Sequence, residues 1–107
     1  MSSEPARTIQ LAEDFYRGLL ELEEYANAHG GRGRTLVNAL MNFAYHIIGT
    51  APRAYPVLPV AEQPAHEYRR AVFRKRFVLI YHLTDTELTF LLVYSAKQRP
   101  PAIPPIS

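Results

Sequence analysis

The residues of this sequence whose types and spacing indicate chemistry are its basic side chains, which form two groups in the C-terminal half. The groups are Arg69, Arg70, Arg74, Lys75 and Arg76, and then Lys97 and Arg99. Five cations within eight positions repel one another unless an anion or an acidic partner lies near them. We therefore predict a surface that binds a protein partner or nucleic acid. The alternative is a solvated hairpin whose charges only protect the edge of a sheet.

We do not expect every residue of the two basic groups to belong to the binding surface. Side chains alternate along a strand, which places Arg69 and Arg70 on opposite faces, so only one of them is expected at the site. We favour Arg70, because Arg69 is the more readily engaged in pairing with the nearby Glu67. Lys97 and Arg99 lie two apart at a strand end and can share a face. They either extend the positive surface or are ordinary charges near the C-terminus.

Other polar side chains give weaker signals. The rings of Tyr81 and Tyr94 can stack on a nucleic-acid base, but in apolar strands core packing with a hydrogen-bonded hydroxyl is more common. His46 and His82 lie in apolar surroundings, where a histidine is usually structural rather than a general base. The chain has no cysteine, and its four histidines show no metal-ligand spacing. We therefore predict no metal site and no cofactor.

Length and composition are those of one globular domain spanning residues 1–107, with 48% apolar and 21% charged residues. Charge is unevenly distributed, with a balance of −2 over residues 1–50 and +4 over residues 51–107. The N-terminal residues lack an apolar signal core, and no apolar run approaches the roughly 20 residues that span a bilayer. We expect a cytoplasmic protein without membrane association.

The hydrophobic pattern predicts the element order β-α-α-β-β-β, an α+β fold in which a helical hairpin packs on an antiparallel sheet. Helices are expected at 12–29 and 34–49, and strands at 7–11, 67–73, 76–84 and 87–96. In the second helix, one apolar row is Leu36, Leu40, Ala44 and Ile47, and the neighbouring row is Val37, Met41 and Ile48. The last two strands are apolar on both faces, which is typical of central strands. The core spans about residues 7–100, and the proline-rich tail 100–107 is expected to be extended and to matter little to folding.

Two stretches of the C-terminal half, together with this element order, form a recognisable pattern. They are Arg69-Arg70-Ala-Val-Phe-Arg-Lys-Arg76-Phe77-Val-Leu-Ile-Tyr81 and Leu88-Thr-Phe-Leu-Leu-Val-Tyr94-Ser-Ala-Lys97-Gln-Arg99-Pro100. The pattern resembles the RelE/ParE superfamily, the toxin halves of bacterial type II toxin–antitoxin pairs. The resemblance covers about residues 7 to 100 and is specific only after Glu67.

The resemblance implies two different activities. RelE-like members cut mRNA in the ribosome, with basic side chains that stabilise the transition state, and Arg70, Arg76 and Lys97 would have this role here. ParE-like members instead inhibit DNA gyrase. Members of both kinds are neutralised by a cognate antitoxin.

Three departures from the ribonuclease pattern favour the ParE-like interpretation. Phe73 and Gln98 stand where RelE-like sequences have arginines, and the tail after Arg99 contains no tyrosine or histidine. We therefore predict a plasmid-stabilisation-type toxin that inhibits gyrase, with the RelE-like mRNA endoribonuclease as the alternative. A toxin fold that has lost toxicity and only binds a partner is a third possibility.

Overall fold

The computed structural model describes residues 7–59 and 67–103, which form two helices and a sheet of five strands. The elements are β1 (Thr8–Leu11), α1 (Glu13–Ala28), α2 (Gly33–Asn42), a π-helical turn (Phe43–Ile48), a 3₁₀ turn (Pro52–Ala54), β2 (Val57–Leu58), β3 (Glu67–Phe73), β4 (Phe77–Leu83) and β5 (Glu87–Ser95). No helix within these ranges is long and apolar enough to cross a membrane.

The strands are arranged in the order β1-β5-β4-β3-β2, so β4 and β5 lie in the middle of the sheet as predicted. Consecutive pairs from β2 to β5 are antiparallel, whereas β1 lies parallel to β5. The predicted α+β fold is confirmed, with a parallel edge strand that makes the sheet mixed. The two-residue strand β2 adds a fifth strand from the segment that the prolines marked as a connector.

Both helices pack on one face of the sheet, because each has one apolar stripe. In α1 the buried residues are Phe15, Leu19 and Leu22, and acidic Glu13 and Asp14 occupy the first turn, where they suit the helix dipole. The helix lies unusually close to β5 at one point. A Cβ added to Gly18 would lie 2.3 Å from the carbonyl oxygen of Val93, so only glycine permits this approach.

The end of the second helix differs from the predicted pattern. Residues 43–48 form a π-helical turn, and the amide of Gly49 donates to the carbonyl of Ala44 at 3.0 Å. The wider turn shifts the phase of the apolar row, so Ile48 is fully buried and Ile47 is 48% exposed. The expectation that Ile47 continues the row with Leu40 and Ala44 is therefore wrong.

The opposite side of the sheet, called the second face from here on, carries a smaller apolar cluster. Its buried members are Tyr68, Val78, Ile80, Leu91, Leu92 and Tyr94. A β-bulge supports this arrangement, because Ile80 pairs with Leu92 and Tyr81 with Phe90, which leaves Leu91 as an extra residue. As a result the cluster contains both Leu91 and Leu92 without a break.

The C-terminal tail contributes to this cluster, because Ile103 packs against it. Truncation after Pro100 would remove this apolar contact, and the expectation that the tail matters little to folding stays a prediction. Residues 104–107 lie outside the described residues.

Candidate functional site

The two basic groups of the sequence meet at one end of the sheet. The turn between β3 and β4 carries Arg74, Lys75 and Arg76, and the amide of Ala96 donates to the carbonyl of Arg76 at 2.7 Å. Lys97 and Arg99 follow directly after this contact. We call the five side chains Arg74, Lys75, Arg76, Lys97 and Arg99 the basic end.

The turn that presents the basic end is strained. Arg74 and Lys75 have φ angles of 53° and 58°, and the amide of Arg76 donates to the carbonyl of Phe73 at 3.0 Å. Two consecutive residues with positive φ are typical of a type I′ turn, which normally uses asparagine and glycine. Each non-glycine residue held there costs on the order of 1 kcal/mol.

Aromatic rings hold two of the guanidinium groups. The Cζ atom of Arg74 lies 4.7 Å from the ring centre of Phe73, and that of Arg76 lies 5.8 Å from the ring centre of Phe77. Phe73 packs in turn against Phe43, at 4.8 Å between ring centres. Stacking of this kind orients a guanidinium group while leaving its N–H edge available to an anion.

The cations of the basic end have no ion-pair partner among the described residues. Within residues 7–59 and 67–103, no carboxylate forms an ion pair with any of its five cations or with Arg70, whereas other arginines of the chain are paired. Arg17 pairs with Glu13 and Asp14, and Arg34 pairs with Glu23. The cations of the basic end are exposed, so their charge faces solvent and is available to an anionic partner.

Arg69 belongs to a structural network. Its Nε donates to Glu67 Oε1 at 2.7 Å, and its Nη1 donates to the carbonyl of Arg53 at 3.3 Å and to the carbonyl of Tyr55. The side chain is only 13% exposed. These contacts attach the segment around the 3₁₀ turn to β3, and they leave Arg69 little surface with which to contact a partner.

Arg70 is exposed and lies opposite Ile80 in the β3–β4 ladder. Because Ile80 belongs to the second face, the side chain of Arg70 lies at the rim of that face rather than among the residues of the basic end. Strand alternation alone separates it from Arg69. The predicted site residues are thus divided among three places: the basic end, the second face and the structural network.

Three contacts of the network have no signal in the sequence. Arg53 lies near both Glu67 and Asp85, at 3.6 and 3.7 Å, and the hydroxyl of Tyr81 donates to the carbonyl of Pro52. Tyr81 is fully buried, and its burial raises the pKa of its hydroxyl well above the ordinary value of 10.0. Its position excludes stacking on a nucleic-acid base, in agreement with core packing.

The two histidines that were expected in apolar surroundings differ in their exposure. His82 is 5% exposed and lies 5.1 Å from the ring of Tyr68, whereas His46 is exposed, contrary to the apolar surroundings expected for it. In the described part of the chain, no group of three or more acidic or histidine side chains could hold a metal ion. The exposed cations of the basic end can bind an anion and stabilise its charge.

Comparison with known proteins shows which solved structures have a similar fold. No protein-family profile and no curated protein sequence matches this chain. Among solved structures, a chain of the toxin–antitoxin complex RelBE2 from Mycobacterium tuberculosis is similar with a TM-score of 0.62 and 19% identity. The likeness covers 87% of this chain and 94% of that one. The fold is that of RelE-like toxins.

A second structure supports the RelE-like fold. YafQ from E. coli strain BL21(DE3) is similar with a TM-score of 0.51 and 24% identity, over 85% of this chain and 94% of that chain. Phe73 stands where the RelE-like pattern has an arginine. Its ring packs on Phe43 and lies against the guanidinium group of Arg74, which explains an aromatic residue at this position. Gln98 lies in the turn after β5, where its amide donates to the carbonyl of Ser95 at 2.9 Å.

Proposed function

We propose that this protein is the toxin component of a toxin–antitoxin pair and that it contacts an anionic partner through the basic end and Arg70. The observation that carries the proposal is the gathering of exposed, unpaired cations at one end of a RelE-like fold. Two of these cations are held in a strained turn and two are stacked on aromatic rings. Strain and preorganisation of this kind are typical of sites that bind a partner.

The partner in the resting cell would be a cognate antitoxin. The similar chain of RelBE2 comes from a toxin–antitoxin complex, which supports this part of the proposal. An acidic segment of the antitoxin, disordered when free, would fold on binding and neutralise the exposed cations. Such binding would weaken with added salt, because exposed charge pairs are screened.

The target that the comparisons support better is ribosome-bound mRNA, since the similar structures are RelE-family toxins. This reverses the order of preference predicted from the sequence. Arg70, Arg76 and Lys97 would offset the negative charge that develops on the scissile phosphate. Catalysis would rest on positioning and on electrostatic stabilisation by these cations.

Inhibition of DNA gyrase is the second candidate, and a specific observation favours it. Phe73 and Gln98 replace the arginines of the ribonuclease pattern, and the core packing of Phe73 explains the first replacement without any role in cleavage. A toxin that acts by occupying gyrase needs no transition-state donors at these positions. The loss of two such donors typically lowers a cleavage rate by a hundredfold to a thousandfold each.

The test begins with expression in a bacterial host. We expect growth arrest, relieved by co-expression of the cognate antitoxin, and relieved also by the triple variant Arg70→Ala, Arg76→Ala, Lys97→Ala. The matched control is the double variant Arg17→Ala, Arg34→Ala, which removes cations that are already paired on the helices. The control should still arrest growth. Growth arrest by the triple variant would contradict a role for the proposed site.

Purified components separate the two targets. In a reconstituted translation system, the ribonuclease predicts mRNA cuts that require the ribosome and fall at least about a hundredfold in rate in the triple variant. The gyrase inhibitor instead predicts intact mRNA and blocked supercoiling of plasmid DNA. Absence of both effects, with antitoxin binding retained, would identify a toxin fold that only binds its partner.

A further inference from the structure

The two stacked arginines of the β3–β4 turn lie on the same face of the sheet. Phe73 and Phe77 pair directly across the hairpin, and both pack in the apolar cluster beneath the helices. Side chains at directly opposite positions of an antiparallel pair have Cβ atoms about 5 Å apart. The guanidinium of Arg74 lies over the first ring and that of Arg76 over the second. The paired rings therefore hold two guanidinium groups as neighbours.

The backbone of the turn brings Arg74 over the ring of the residue before it. In an extended strand the side chains of consecutive residues point to opposite faces, which would direct Arg74 away from Phe73. The positive φ of Arg74 ends this alternation, and the hydrogen bond from the amide of Arg76 to the carbonyl of Phe73 closes the turn. The strained conformation of Arg74 and its contact with Phe73 thus have the same origin.

The ring of Phe73 is itself fixed by core contacts. It lies 4.8 Å from the ring of Phe43, which in turn contacts the ring of Tyr55 edge-on at 6.1 Å. Phe73 is half-buried, so one part of its ring packs inward while another contacts Arg74. A ring fixed by packing limits the positions of a guanidinium group stacked on it.

We propose that Phe73 is a positioning residue, which holds the guanidinium of Arg74 beside that of Arg76 so that the two bind one phosphate group. The inference rests on the proposed function, from which it takes a nucleic-acid ligand. A carboxylate has two coplanar oxygens, which one guanidinium saturates, whereas phosphate oxygens are arranged tetrahedrally and two guanidiniums can share them. Phe73 stands where the RelE-like pattern has an arginine, and Arg74 then supplies the positive charge at this place.

A double-mutant cycle tests the coupling between Phe73 and Arg74. Its members are the wild type, Phe73→Leu, Arg74→Gln and the double variant, and the readout is the dissociation constant for a short fluorescein-labelled single-stranded RNA. Leucine keeps an apolar contact with Phe43 but has no ring face. Phe73→Leu should weaken binding about two- to fivefold, as expected for a lost cation–π contact at an exposed site. In the Arg74→Gln background the same substitution should change the dissociation constant by less than about 1.5-fold, because no guanidinium remains to be positioned.

Two matched controls separate positioning from packing. Phe73→Tyr keeps the ring face and should bind RNA within about twofold of the wild type. In a second cycle Arg17→Gln, which removes a paired cation on α1, replaces Arg74→Gln, and the effect of Phe73→Leu should then remain in full.

Three results would overturn the proposal. They are an unchanged dissociation constant in a folded Phe73→Leu chain, an equal effect of this substitution with and without Arg74, and a Phe73→Tyr variant that binds as weakly as Phe73→Leu.

The chemical class of the ligand is tested by repeating the cycle with a second probe. A fluorescein-labelled glutamate oligopeptide with the same formal charge as the RNA stands for an acidic protein segment. Coupling between Phe73 and Arg74 that is stronger with RNA than with the peptide supports a phosphate site. Coupling confined to the peptide would overturn it.

The wild-type chain decides alone if Phe73→Leu and the further variant Phe73→Met both fail to fold, as judged by circular dichroism. In proton–nitrogen correlation spectra, RNA should then shift the Nε–Hε signals of Arg74 and Arg76 together and leave that of Arg17 in place. A shift of Arg76 without Arg74 would overturn the proposal. Growth arrest without coupling would contradict the positioning role alone, whereas coupling without growth arrest would contradict the proposed function alone.

Discussion

Arg69 and Arg70 are neighbours with the same side chain, but they differ in exposure and in contacts. Arg69 is 13% exposed and bonded to Glu67 and to the carbonyls of Arg53 and Tyr55, whereas Arg70 is exposed on the other face. The difference follows from the alternation of side chains along β3. A basic motif that crosses a strand therefore divides into a structural half and a surface half.

This division predicts contrasting effects of two alanine substitutions. Arg69→Ala removes hydrogen bonds of a charged, mostly buried group, so we expect the free energy of unfolding to fall by about 2–3 kcal/mol. Arg70→Ala should change it by no more than about 0.5 kcal/mol, as is usual for exposed positions. Urea denaturation of both variants checks this. Equal losses of stability would contradict the assignment of Arg69 to the structural network.

A second prediction concerns Tyr81 and alkaline pH. Burial raises the pKa of its hydroxyl above the unfolded-state value of 10.0, so the folded state retains the proton after the unfolded state has lost it. This contribution to stability is fully present below pH 10.0 and is lost as the pH rises through the folded-state pKa.

Tyr81→Phe tests this contribution. The variant should lose about 1–3 kcal/mol near pH 7, because the carbonyl of Pro52 loses its partner. Above about pH 10, its stability should decline less steeply than that of the wild type. Tyr68, whose pKa burial also raises, remains as a source of residual decline. Parallel pH profiles in the two proteins would refute the role of Tyr81.

At the scale of elements, the β3–β4 hairpin turn is the feature whose sequence does not suit its conformation. Arg74 and Lys75 both have positive φ, although type I′ turns favour asparagine and glycine. Under the proposed function, the reason for this mismatch is the positive charge that the two residues present to a partner. Local strain that persists at a binding surface is consistent with selection for the cations rather than for stability.

Replacing the two turn residues tests whether backbone strain at Arg74 and Lys75 lowers the stability of the protein. Arg74→Asn with Lys75→Gly should raise the free energy of unfolding by about 1–2 kcal/mol, because both replacements accept positive φ at lower cost. The matched control Arg74→Gln with Lys75→Gln removes the same two charges and keeps the strain, so its stability should be close to that of the wild type. Chemical denaturation compares the three proteins. An equal gain in the control would indicate that charge repulsion, and not backbone strain, destabilises the turn.

At the scale of the whole molecule, charge is segregated although the formal net charge is only +2. Acidic residues concentrate on α1, where Glu13, Asp14 and Glu23 pair with arginines. The cations of the basic end, which have no ion-pair partner in residues 7–59 and 67–103, lie at one end of the sheet. A field of this kind attracts anions to one region of the surface even when the net charge is small.

Two double variants of equal net charge test this segregation. Lys75→Ser with Lys97→Ser removes unpaired cations, and Arg17→Ser with Arg34→Ser removes paired ones. On immobilised heparin the first variant should elute at clearly lower salt than the second. Each lost phosphate-type contact should also reduce the slope of log affinity against log salt by about 1. Coincident elution would mean that net charge, and not its placement, governs binding.

The sequence by itself determined the elements, because they depend on short-range periodicity. Apolar residues at helical spacing predicted α1 and α2, and runs apolar on both faces predicted β4 and β5 as the central strands. The alternation along β3 also separated Arg69 from Arg70. These inferences need no knowledge of which distant residues meet.

Tertiary structure decided what depends on contacts between distant residues. The π-helical turn exposed Ile47, β1 paired with β5 in parallel, and Ile103 packed against the cluster on the second face. The meeting of Arg76 with Ala96 created the basic end from two groups twenty residues apart in the sequence. Such pairings are set by the packing of the whole chain and by loop closure, and no local pattern in the sequence encodes them.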